Sequence, residues 1–169
     1  VRRAVAGWCL VGDRGLQAVA AGLPAGLVKL DLDLSDCSVQ APGVQALAAG
    51  LPAGLTELSL NLHGCYLVED PGVQALAARL PAGLAKLSLD VGYRGWMIGL
   101  PGVQALASRL PGGLAELSLN LHGCYLVEDP GLQAFAAGLP AGLVKLDLDL
   151  SDCSGQAPGV QALAAGLPA

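Results

Sequence analysis

The chain has little of what a conventional enzyme core is built from. Of its 169 residues only 4% are aromatic, with one Phe, two Trp and three Tyr, and only 14% are charged. Two His and one Met complete the short list of scarce chemistry-bearing types. Basic charge is also in short supply. Nine Lys and Arg stand against fourteen Asp and Glu, giving a net charge of −5. Phosphate binding needs clustered cations, so nucleic acid is excluded as the main partner. Hydrophobic residues make up 53% of the chain and mean hydropathy is +0.56. Even so, no run reaches the ~18 uninterrupted apolar residues of a membrane span. Five cysteines recur at regular spacing. They read as free buried thiols rather than a disulfide framework, which favours a reducing, intracellular (cytoplasmic) setting.

What is abundant is periodic. In Leu55–Gly83, Leu58, Leu60 and Leu62 alternate with Ser59, Asn61 and His63, the period of a strand with one buried face. Gly64-Cys65-Tyr66-Leu67 breaks the alternation. Asp70-Pro71 then reads as a helix start, with Asp70 as the side-chain cap. Val73, Leu76, Ala77 and Leu80 line one face of a short helix, and Pro81 and Gly83 end it. A strand–loop–helix unit of this size cannot bury both stripes alone, so the units must stack.

Copies of the unit fill the chain. The glycines at 15, 43, 72, 102, 131 and 159 mark a period of 28 to 30 residues. Full strands are expected at Leu30–Leu34, Leu58–Leu62, Leu87–Val91, Leu117–Leu121 and Leu146–Leu150. Ala20–Ala53 recurs as Ala136–Ala169 with one difference, Val39 against Gly155, and Leu58–Gly72 recurs identically as Leu117–Gly131. The rungs thus run A, B, C, B, A. The segment opening Val1-Arg2-Arg3 has some look of a signal peptide. However, Gly7–Gly15 aligns with Gly64–Gly72, so a truncated repeat is the better reading. Residues 1–169 are therefore expected to be one array of about five full strands plus a truncated N-terminal repeat, cut from a longer array.

The pattern LxLxxCxL at Leu60–Leu67 and Leu119–Leu126, followed by a helix within the same period, resembles the leucine-rich repeat. The repeat length and helix resemble its ribonuclease-inhibitor-like class, used also in NOD-like receptors and Ran GTPase-activating proteins. The resemblance implies an α/β solenoid, with a parallel sheet on the concave side, helices on the convex side and a protein as the partner. Departures are the extra leucine that lengthens each strand and the middle rung, Gly92–Gly102, which lacks both the Cys and the capping Asp.

Candidate sites follow from the alternation. Outward strand positions form columns across the sheet. Lys29, Glu57, Lys86, Glu116 and Lys145 alternate in sign, which reads as lateral pairing. Next come Asp31, Ser59, Ser88, Ser118 and Asp147. A third column holds Asp33, Asn61, Asp90, Asn120 and Asp149, and a fourth Ser35, His63, Gly92, His122 and Ser151. These columns carry three Lys and seven Asp or Glu, so an excess of four negative charges faces one way, which suits a basic partner and equally a solvated face. The concave candidates are Asp31, Asp33, Asn61, His63, Asp90, Asn120, His122, Asp147 and Asp149.

Of the six aromatics, Trp8, Tyr66, Tyr93, Trp96 and Tyr125 fall in the strand-to-helix loop. There they are expected to line one rim, either as anchors for a partner or as cover for the loop side of the core. The cysteines 37, 65, 124 and 153 are expected inside as a structural ladder, interrupted in the middle rung by Arg94 or Gly95. His63 and Cys65 are expected on opposite faces, against a shared metal. The DxDxxD run of Asp31, Asp33 and Asp36 lacks the glycine and glutamate of a calcium loop. No motif calls for catalysis or a cofactor. A protein-binding module is the leading reading, a structural spacer the alternative, and a GTPase-regulatory or immune-sensor array a third. Stacked units exposed at the ends also make end-to-end self-association an expectation.

Overall fold

The computed structural model describes residues 12–92 and 98–167, and the backbone of residues 2–5. Trp8, Tyr93, Trp96, Arg94 and Gly95 lie outside the described residues. Strand and helix alternate along the chain: β1 (Arg2–Val5), α1 (Asp13–Ala21), β2 (Lys29–Asp33), α2 (Ala41–Gly50), β3 (Glu57–Asn61), α3 (Glu69–Ala77), β4 (Lys86–Asp90), α4 (Leu100–Arg109), β5 (Glu116–Asn120), α5 (Asp129–Ala137), β6 (Lys145–Asp149) and α6 (Ala157–Gly166). The strands form one parallel sheet in sequence order. Each helix packs on the next along the other layer. The architecture is an α/β leucine-rich-repeat solenoid, with the sheet as its concave face.

The alternating leucines place these strands, and the ladders begin and end one residue earlier than the leucines do. Lys29 pairs with Glu57, Glu57 with Lys86, Lys86 with Glu116 and Glu116 with Lys145, so every expected column is in register. A further strand, β1, precedes them and pairs with β2 in the register Arg2 to Lys29. Between the layers lies a continuous core. Leu30, Leu32 and Leu34 are 0–2% exposed, as are their counterparts Leu58, Leu60 and Leu62. Burying each such side chain contributes roughly 1.5–3 kcal/mol. Among the described residues no polar or charged side chain is buried.

The strand-to-helix turn has a fixed device. The residue before each described cysteine is left-handed: Asp36 at φ 54°, Gly64 at 77°, Gly123 at 73° and Asp152 at 58°. At Gly64 a Cβ would also run into the Asp36 carboxylate of the preceding rung. The turn drives the cysteine inward. Cys37, Cys65 and Cys124 are buried and Cys153 is partly so. The Cys65 thiol donates to the Leu34 carbonyl at 3.0 Å, and the Cys153 thiol to the Leu121 carbonyl at 3.2 Å. Each thiol thus serves a carbonyl one rung back. Burial pushes both thiols up to about 11.

The helix caps differ from expectation. Asp70 does not cap its own helix; α3 has no side-chain cap, and Val68 precedes it. The Asp70 carboxylate instead accepts the amides of Gly99 and Gly102, both at 2.9 Å, at the start of α4 one rung on. Asp129 serves Gln156, just before α6, and Gly159 within it in the same way, and Asp13 serves Gln40 before α2. The reason is the spacing of stacked helix starts. An acidic residue in one first turn lies against the orphan amides of the next. The middle rung therefore needs no Asp of its own.

Candidate interaction surface

The outward side chains of β2 to β6 are half-buried or exposed, which leaves this face of the sheet open. Its four columns do different things. In the first, Lys29 pairs with Glu57 and Lys86 with Glu116, each at 2.7 Å. The Glu116 carboxylate raises the Lys86 ammonium above its usual range, first by hydrogen bonding and then by charge. Lys145 makes no ion pair among the described residues.

The third column is spent on turns. Asp33 accepts the Ser35 amide and hydroxyl, and Asp149 does the same for Ser151. Asn61 accepts the His63 amide, Asp90 the Gly92 amide and Asn120 the His122 amide. These side chains close the strand ends as Asx turns, a local bond that Asp and Asn favour. Hydrogen bonds from the Ser35 and Ser151 hydroxyls, then from their amides, hold the Asp33 and Asp149 carboxyls below the usual carboxylate range. Neighbours are also linked across strands, since the Asn120 amide group donates to Asp90 at 3.1 Å.

In the fourth column the His63 ring lies 3.8 Å from the Asp90 carboxylate, and the His122 ring is 2.8 Å from the Ser151 hydroxyl. Both histidines are half-exposed, while Cys65 and Cys124 are 0–1% exposed, so the thiols are enclosed in the core.

The second column is the exception. Asp31, Ser59, Ser88, Ser118 and Asp147 occupy adjacent register positions, and none is hydrogen-bonded or ion-paired through its side chain among the described residues. Two hollows of the sheet face meet on this column. One, of about 240 Å³, is floored by Ser59, Ser88 and Ser118 beside the Lys and Glu column. The other, of about 300 Å³, runs from Ser88 and Ser118 to Asp90, Asp147 and Asp149. The serines carry no charge to draw attention in a sequence; the signal that could have found them is their position in line between two aspartates.

On the rim, Tyr66 is 61% exposed and Tyr125 48%. Each is followed by an exposed leucine, Leu67 and Leu126. Sequence reasoning missed these leucines, because the alternation breaks off before them and assigns them no face. In the structure Leu67 and Leu126 sit at isolated parallel bridges, to Gln40 and Gly99, and Val68 and Val127 take the buried places instead.

Residues 30–48 match the family model described as leucine rich repeat. The match covers one strand-to-helix unit. Since the same unit recurs along the sheet, it supports a leucine-rich repeat protein. No curated protein matches the sequence. Leucine-rich-repeat domains are generally non-enzymatic modules that bind proteins. No helix among the described residues is long and apolar enough to cross a membrane.

Proposed function

We propose that residues 1–169 form one leucine-rich-repeat array that binds a protein partner and carries no catalytic activity, with no cofactor or metal. The sheet face is the main surface, formed by Asp31, Asp33, Asn61, His63, Asp90, Asn120, His122, Asp147 and Asp149. The strand-to-helix rim adds Tyr66 and Tyr125 and, on sequence position alone, Trp8, Tyr93 and Trp96. The observation that carries this reading is the open sheet face, where an entire column of polar side chains has no side-chain partner among the described residues. The acidic excess of that face favours a basic protein over nucleic acid. The 28- to 30-residue period and full helical turns support the ribonuclease-inhibitor-like class, within which GTPase regulators and immune sensors fall. Buried free thiols support an intracellular setting.

A structural spacer is the second reading, favoured by the near-identity of the two A rungs and the two B rungs. Exposed apolar groups on the last rung, including Val144 at 86% and Val160 at 55%, support end-to-end self-association of this chain.

The deciding experiment is affinity capture with mass spectrometry. It compares the wild-type chain, a rim variant (Tyr66→Ala with Tyr125→Ala) and a face variant (Asp31→Asn with Asp147→Asn), each first shown to be folded by circular dichroism. A protein held by wild type and reduced by either variant is the expected outcome. Absence of any specific capture contradicts binding and leaves the spacer.

A further inference from the structure

Resting on the reading of the sheet face as the partner-binding surface, the geometry points to the second column as the seat of an extended segment of the partner carrying two basic side chains about 19 Å apart. The column has a carboxylate at each end and hydroxyls between. Asp31 on β2 and Asp147 on β6 are four strand steps apart, or roughly 19 Å at ~4.8 Å per step. Ser59, Ser88 and Ser118 fill the steps between them in continuous register.

The other columns are already committed. In the first, two of the three lysines are engaged by its two glutamates. In the third, one oxygen of each side chain is held in an Asx turn to the amide two residues ahead. The second column presents carboxylates and hydroxyls with no side-chain bond among the described residues, and its Ser88 and Ser118 line both hollows of the face.

The occupant follows from complementarity. Two separated carboxylates select two separated cations. A row of hydroxyls selects a backbone with free N–H and C=O groups, which an extended chain has and a helix does not. At ~3.3 Å per residue, a span of roughly 19 Å corresponds to about six residue steps. The partner segment therefore carries Lys or Arg at its ends with about five small or polar residues between. The poles are unequal. Lys29, two residues from Asp31, is engaged by Glu57, whereas Lys145, two residues from Asp147, has no such partner and offsets that carboxylate. Asp31 is the stronger pole.

The test uses dye-labelled peptides, acetylated and amidated, with two arginines separated by one, three, five or seven Thr and Ser residues, plus a single-arginine control. Binding to the 169-residue chain is read by fluorescence anisotropy at low ionic strength. The five-residue spacing is expected to bind tightest. Asp31→Asn and Asp147→Asn are each expected to weaken it about two- to fivefold, the range for an exposed ion pair, with the larger loss at Asp31. Their double variant is expected to abolish the spacing dependence. Glu128→Gln on the rim is expected to change nothing. Affinity independent of spacing, equal affinity in the double variant, or no binding of any peptide overturns the assignment. A captured protein that survives the Asp31→Asn, Asp147→Asn pair would overturn this assignment alone and leave partner binding standing; absence of any captured protein removes both.

Discussion

Asp70 stands in one helix and serves the next. It satisfies two amides at the start of α4, which has no acidic residue in its own first turn. Asp70→Ala is expected to cost about 1 kcal/mol in urea unfolding, within the usual range for a lost cap, and Asp70→Asn distinctly less because an acceptor oxygen remains. Equal, negligible losses would show that water replaces the carboxylate. The Asp-Pro pair announced a helix start correctly but named the wrong beneficiary, because amides about thirty residues on are invisible to a local motif.

Asp33 and Asp149 have depressed folded values, so their contribution to stability is present above the ordinary aspartate value of 3.8 and is lost as pH falls through the folded values. Cys65 and Cys153, raised to about 11, and the raised Lys86 act in the opposite direction. They contribute fully below the unfolded values and lose that contribution as pH rises through the folded ones. Chemical unfolding from pH 2 to 11 should therefore show stability falling off below about pH 4 and again above about pH 9, a window set by these shifts. A monotonic profile would contradict these assignments.

For the elements, the strand positions were legible because leucine alternates without interruption, and the columns follow once the period is known. What each column does was not legible. Asp33, Asn61 and Asp149 look like surface groups in a sequence, yet each closes the turn two residues ahead. The alternation of Asn with Asp keeps like charges off neighbouring strands. Asn61→Asp places a carboxylate in register between Asp33 and Asp90. It should destabilise by about 0.2–1 kcal/mol at low salt, and ~1 M salt should largely remove the effect. A loss insensitive to salt would instead point to a defective turn. The thiol ladder was legible from spacing, but its bonds to carbonyls of the preceding rung were not, since they depend on the left-handed residue that precedes each cysteine.

Across the whole molecule, one sequence experiences two environments. β2 and β6 are identical over five residues, and both belong to A rungs. β2 lies between two strands, and its leucines are 0–1% exposed; among the described residues β6 pairs only with β5, and Leu146 and Leu148 are partly exposed. Hydrogen exchange of this chain should therefore be faster in β6 than in β2, because protection here comes from neighbours rather than from sequence. Equal protection would mean that the β6 edge is covered in solution, as self-association would cover it. The face that neighbours leave open is the one proposed to bind. The most direct measurement is a ¹⁵N-labelled titration of the chain with the protein it captures. The account predicts that amides of β2 to β6 shift, centred on Asp31, Ser59, Ser88, Ser118 and Asp147, while those of the exposed helix faces stay in place. Shifts confined to α2–α5, with the strands unmoved, would contradict it.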